Sequence, residues 1–156
     1  MGQASISVER VDHVGIRVRD AERAITFYEI FGFTVDHRSD IDAVIIIRNP
    51  KNIEINLVVN AVDEIDDDGQ PANVLMDVPV KRAGITHLAL RVPSIFETMA
   101  ALAENDIEIT QGPVKFGQDN HASVFIRDPD RNVIELRARD EDHDKIEGLV
   151  VYDPKG

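Results

Sequence analysis

The sequence predicts an α+β protein made of two β-α-β-β-β units in tandem, and three observations predict it. First, the segments Val11-Asp12-His13-Val14-Gly15-Ile16-Arg17-Val18 and Ile85-Thr86-His87-Leu88-Ala89-Leu90-Arg91-Val92 alternate apolar and polar residues and carry histidine and arginine at the same offsets. Second, each is followed by a pattern of helical period. Third, each unit closes with two strands around a four-residue turn, Asn49-Pro50-Lys51-Asn52 in one and Asp128-Pro129-Asp130-Arg131 in the other.

Alternation sorts Val14, Ile16 and Val18 onto one face of the first strand and His13, Gly15 and Arg17 onto the other. Duplication is then expected to bring both imidazoles onto one concave, non-core surface. After this strand Asp20 is the expected N-cap of a helix over about 20–31, with Ala24, Phe27, Tyr28 and Phe31 on its apolar side and Gly32 as its stop. Strands are expected at 33–35, 43–48 and 53–59. The stretch 61–84 is rich in Asp, Gly and Pro with little periodicity, which reads as an acidic linker or exposed loop. In the second copy, Ser94 and Glu97 form a capping box, Phe96, Met99, Ala100 and Ala103 supply the apolar stripe, and the helix ends near Asn105. Strands at 107–109, 123–127 and 132–138 complete it. The organisation is therefore a first module over 9–60, the linker 61–84, a second module over 85–139 and an acidic tail over 140–156, in which 149–152 either adds an edge strand or docks on a partner.

Composition narrows the function. The 156 residues include no cysteine, so there is no disulfide framework. Neither a leader-like start nor an apolar run near ~18 residues is present, which leads us to expect a cytoplasmic protein that does not engage membranes. A net charge of -12 repels phosphate backbones, so nucleic acid is not an expected partner. In the last strand, Glu135 and Arg137 share one face while Ile134, Leu136 and Ala138 share the other. Two imidazoles, His13 and His87, with the Glu135 carboxylate make a donor set for one first-row divalent ion, Zn, Ni, Fe, Mn or Co.

These features, together with Asp-Pro-Asp-Arg-Asn-Val-Ile-Glu-Leu at 128–136, resemble the vicinal oxygen chelate superfamily. Its members include glyoxalase I, methylmalonyl-CoA epimerase, extradiol dioxygenases, and fosfomycin and bleomycin resistance proteins. The match runs from about Arg10 to Arg139. It implies a glyoxalase-like fold whose curved mixed sheets form a cup around one metal, with a ligand from the first and last strand of each module. His13, His87 and Glu135 take three of those places. For the fourth, superposing the two turns without gaps puts Asn56 opposite Glu135, whereas Glu54 needs a two-residue gap; register favours Asn56. The resemblance makes this slot informative, since glyoxalase I calls for glutamate there, an epimerase tolerates an amide and a dioxygenase leaves it without a ligand.

The resemblance extends to Gly112-Pro113-Val114-Lys115 and Gly117, similar to a loop of bacterial glyoxalase I. Arg17 and Arg91 share the histidine faces and either contact substrate or neutralise acids such as Glu135. His121 and Phe125 fall in or beside the strand that gives extradiol enzymes an acid-base histidine and a tyrosine; Phe125 lacks that hydroxyl, which counts against ring cleavage. The leading expectation is a metal-dependent lyase or isomerase that abstracts a proton next to a carbonyl through a metal-bound enediolate, with Glu135 as base and Glu54 as the alternative base. Competing with it are an extradiol-type dioxygenase using a His-His-Glu triad and a non-catalytic small-molecule binding protein of the drug-resistance type. A homodimer is expected, because relatives commonly pair modules across two chains.

Overall fold

A computed structural model of the chain describes residues 2, 4–116, 120–139 and 143–153. The chain forms two compact units, residues 1–62 and 63–156. In the first, β1 (Val14–Val18) leads through α1 (Ala21–Glu29) to β2 (Thr34–Ser39), β3 (Val44–Arg48) and β4 (Glu54–Val59). The sheet order is β1-β4-β3-β2, with β1 parallel to β4 and the other pairs antiparallel. In the second, β5 (Leu88–Arg91), α2 (Ile95–Glu104), β6 (Ile109–Lys115), β7 (His121–Arg127) and β8 (Val133–Arg139) repeat this order. A 3-10 turn (His143–Lys145) and β9 (Val150–Val151) follow, and the sheet runs β5-β8-β7-β6-β9. The expected duplicated β-α-β-β-β architecture of mixed sheets is the observed one.

Local chemistry sets these elements. Asp20 accepts from the Arg23 amide at 2.8 Å and Ser94 from the Glu97 amide at 3.0 Å, capping α1 and α2 where the sequence places the caps. Gly32 adopts φ 81, the left-handed conformation that glycine takes without strain after a helix. The two turns are built alike. The Asn49 side-chain oxygen accepts from the amides of Lys51 and Ile53, and that of Asp128 from the amides of Asp130 and Asn132. Asn52 and Arg131 both carry positive φ, 62 and 64. These Asx turns fix the frame of the strands that follow.

Each helix covers the apolar face of its own sheet. In the first unit α1 buries Phe27 and Tyr28 and packs on β2 and β4, in a sheet whose buried residues are Ile16, Val18, Ile45, Ile47, Ile55 and Leu57; in the second α2 buries Ile95 and Leu102 and packs on β7 and β8, where Val124, Ile126, Ile134 and Leu136 are buried. The α2 stripe therefore differs from the one expected, since Phe96 is 54% exposed and Ala100 and Ala103 are exposed. A shift by one residue explains it: Ile95 and Leu102, seven apart, bury more branched aliphatic surface than alanines would.

Other elements depart from expectation as well. β2 runs on to Ser39 despite its polar residues because pairing with β3 satisfies its backbone. The Gly112-Pro113-Val114-Lys115 segment is part of strand β6 and not a loop, with a register irregularity between Gln111 and Val114. Only glycine fits at 112: φ is 98, and a Cβ there would lie 2.7 Å from the Ser123 carbonyl oxygen. Gly117 lies outside the described residues. The tail does add an edge strand, since β9 runs parallel to β6 and the Tyr152 amide donates to the Lys115 carbonyl at 2.8 Å.

The stretch 61–84 is mostly irregular, with one isolated bridge from Ile65 to Pro71, yet it is tied to the second unit. Asp77 accepts from Arg127 at 2.8 Å and from Arg131 at 2.9 Å, and Asn73 donates to the Arg131 carbonyl at 2.8 Å. Burial pushes the Asp77 carboxyl up, but the hydrogen bonds from Arg131 and Arg127 outweigh it and hold the group below the ordinary aspartate range. A carboxyl lowered on folding contributes stability that is complete above its unfolded value and is lost as pH falls through its folded one. Asp77→Asn is therefore expected to cost about 1–2 kcal/mol at pH 7, with the gap to wild type closing below about pH 4. Urea unfolding at the two pH values measures this, and an equal gap at both would contradict it.

No helix among the described residues is long and apolar enough to cross a membrane.

Candidate metal centre

The two units bring corresponding residues to corresponding places. In the second, Ala89 of β5 is in register with Glu135 of β8, and His87 stands just before β5 on the same side of the strand. His87 Nε2 lies 3.0 Å from Glu135 Oε2. Two donors at about 2.1 Å from one ion and at right angles would lie about 3 Å apart, so this pair has the spacing of neighbouring ligands. Glu135 is 5% exposed and its other oxygen is held: the Ser123 hydroxyl donates to Oε1 at 2.6 Å and Arg137 approaches it at 3.3 Å. Phe125, directly across from Glu135, meets the His87 ring edge-on at 5.7 Å. Phe116 continues this aromatic patch toward Tyr152, with the Arg137 guanidinium 5.6 Å over its ring.

In the first unit Gly15 of β1 is in register with Asn56 of β4, as Ala89 is with Glu135. The matching Asx turns confirm the correspondence, because Asn49 and Asp128 stand seven residues before Asn56 and Glu135. Beside Asn56, a Cβ at Gly15 would meet nothing within 4 Å. The surroundings of Asn56 nevertheless differ. Where β7 places Ser123 and Phe125, β3 places Val44 and Ile46, and Val58 stands where Arg137 does. The buried Asn56 Oδ1 consequently has no hydrogen-bond partner among the described residues. A buried amide oxygen without a donor is costly unless water or a cation meets it.

Glu54, two residues earlier on the same face, has Oε2 2.8 Å from Arg48 and is grouped with Asp12 and His13, one ligand atom of each lying within 4.8 Å of the others. His13 Nδ1 lies 2.7 Å from Asp12 Oδ2, and that contact holds the Asp12 carboxyl below its usual range. The second unit has a counterpart, as Thr86 Oγ1 lies 2.9 Å from His87 Nδ1. Arg17 donates from Nε to Asn60 at 3.0 Å, while Arg91 is exposed at the end of β5. The cation beside Glu135 is thus Arg137 and not Arg91. Sequence reasoning missed Ser123 and the pair Asp12 and Thr86; the only available signal was a polar residue on a strand otherwise reading Val-Phe-Ile, and one before each histidine.

The donor types in each unit suit a divalent ion: an imidazole with a buried carboxylate, His87 and Glu135, in the second, and an imidazole with an unsatisfied amide oxygen, His13 and Asn56, in the first. Two βαβββ modules in tandem define a class of α+β proteins. The chain belongs to the Glyoxalase/Bleomycin resistance protein/Dioxygenase superfamily, whose family model matches residues 10–136. The fold is shared with a glyoxalase family protein from Bacillus cereus at 19% identity, TM-score 0.65, covering 88% of this chain and 99% of that one. It is also shared with a glyoxalase/dioxygenase from Nostoc punctiforme (22%, 0.64, 90% and 100%) and a fosfomycin resistance protein from Listeria monocytogenes (15%, 0.62, 85% and 93%). No curated protein matches the chain significantly.

Proposed function

We propose that this protein is a metal-dependent lyase or isomerase that removes a proton next to a carbonyl of a small molecule. The observation that carries the reading is the buried Glu135, with one oxygen held by Ser123 and the other 3.0 Å from His87. The donors we assign to one divalent ion are His13, Asn56, His87 and Glu135; an ion of the Zn, Ni, Fe, Mn or Co group held there would polarise a substrate oxygen and so acidify the neighbouring C–H.

The remaining work falls to the chain. Glu135 is the first candidate to take the proton; with Oε1 occupied by Ser123 and Arg137, Oε2 is the oxygen that would hold the ion and would have to loosen from it to accept the proton. Glu54 is the second, although Arg48 already engages its Oε2 at 2.8 Å. Phe125 walls the His87 side with an apolar ring, and Arg17 and Arg91 are candidates to meet an anionic part of the substrate. Phe125 has no hydroxyl to serve oxygen chemistry, which favours isomerisation or lysis over ring cleavage. The reading includes a cytoplasmic homodimer that binds neither nucleic acid nor membrane.

The test follows α-hydrogen exchange in deuterium oxide on the metal-loaded protein with a hydroxy-ketone, a hemithioacetal and an acyl thioester. Exchange without oxygen uptake is expected. Glu54→Gln that loses exchange but keeps metal would move the base to Glu54, whereas metal loss in Glu54→Gln and not in Asn56→Ala would move the fourth donor there. Oxygen uptake with a catechol on the Fe(II)-loaded protein, and no exchange with any carbonyl compound, would sink the reading in favour of a dioxygenase. Tight ligand capture without turnover would favour a binding protein.

A further inference from the structure

Both histidines have Nδ1 engaged by the side chain immediately before them, but the two neighbours differ in what they can do. The Asp12 carboxylate, 2.7 Å from His13, only accepts hydrogen bonds. The Thr86 hydroxyl, 2.9 Å from His87, both donates and accepts. We propose that Asp12 and Thr86 are positioning residues with different tasks: Asp12 locks His13 in the tautomer whose Nε2 lone pair is bare, and Thr86 lets His87 change tautomer. The proposal rests on the reading of both histidines as metal donors.

The argument follows the protons. A neutral His13 beside an acceptor-only carboxylate carries its proton on Nδ1, so Nε2 is ready to bind. His87 starts differently. Its Nε2 faces Glu135 Oε2 at 3.0 Å, and a carboxylate accepts, so a neutral ring carrying no metal keeps its proton on Nε2 and its Nδ1 accepts the Thr86 hydroxyl hydrogen. Serving as a ligand through Nε2 requires that lone pair. The Nε2 proton passes to solvent and solvent returns one to Nδ1 of the exposed ring, so none is released overall, and the Thr86 hydroxyl rotates to accept where it previously donated. Valine at 86 supports neither state, whereas serine supports both. Asp12 is 78% exposed and Thr86 is exposed, so substitutions at either position leave the packed interior alone.

The experiment uses Zn(II) as probe on the full chain. Ring 15N shifts, assigned with His13→Gln and His87→Gln, report the tautomers before and after zinc, and calorimetry reports affinity. Expected before zinc are the Nδ1–H form for His13 and the Nε2–H form for His87, with both rings Nδ1–H afterwards. Thr86→Val and Asp12→Ala should each weaken zinc about tenfold, with Thr86→Ser within about twofold of wild type. A His87 that is Nδ1–H or doubly protonated near pH 8 before zinc, or a Thr86→Val protein of wild-type affinity, overturns the proposal. Zinc binding that His87→Ala abolishes and Thr86→Val leaves untouched overturns it alone; a wild type that binds no zinc overturns the metal reading with it.

Discussion

His87→Ala is expected to weaken divalent-metal binding by more than about 100-fold, beyond the roughly 10–100-fold that follows from altering a residue behind a ligand. The ring offers Nε2 toward Glu135, and alanine has nothing to put there. His13→Ala should behave alike, because Asn56, the other donor we assign in that unit, is a neutral amide that holds a cation weakly alone. Neither change should unfold the protein, since the side chains of His87 and His13 are 35% and 43% exposed. Equilibrium dialysis with elemental analysis measures the binding, and circular dichroism checks the fold. Folded variants that both keep one metal per chain would place the donors elsewhere.

The second large effect is on chemistry. Glu135→Gln keeps side-chain volume but removes the carboxylate that we propose takes the proton, so α-hydrogen exchange should fall by about 10²–10⁴-fold. Glutamine also weakens metal binding, so exchange has to be compared at saturating metal. Ser123→Ala is the informative companion: it deletes the 2.6 Å hydrogen bond to Oε1 and leaves Oε2 and His87 in place. Metal retained with exchange lowered about tenfold is the expected result, in line with losing one charge-assisted hydrogen bond of about 1.5–3 kcal/mol in part. Full exchange in the Glu135→Gln protein would remove Glu135 from the mechanism.

Much of the architecture was legible because the chain states it twice. The His-x-x-x-Arg strands, the Asp20 and Ser94 caps and the Asn-Pro and Asp-Pro turns are local signals, set by hydrogen bonds within a few residues. Non-local effects escaped. β2 lengthens because β3 supplies its partners, and α2 turns by a residue because the sheet below it selects Ile95 and Leu102. Asp77 sits in an acidic stretch indistinguishable from a solvated loop until Arg127 and Arg131 are folded against it.

At the candidate site the strand positions of the two histidines, Glu135 and Asn56 could be read from alternation, the repeat and the superposed turns. Ser123 could not, because a hydroxyl in a strand carries no sign of whether it meets a carboxylate or water. Nor could the bare surroundings of Asn56, which depend on Val44 and Val58 standing where the other copy has Ser123 and Arg137.

The paired Asx turns make the chemistry of each module sensitive to counting. Asn49 and Asp128 act as anchors from which the following strand is measured, and strand side chains alternate with a period of two. Inserting or deleting a single residue between Asn49 and Asn56 would present Ile55 or Leu57 where the amide oxygen belongs and send a polar residue under α1. Substitution can retune such a module by degrees, as the asparagine at 56 against the glutamate at 135 illustrates, but a change of length by one residue erases it in a single step.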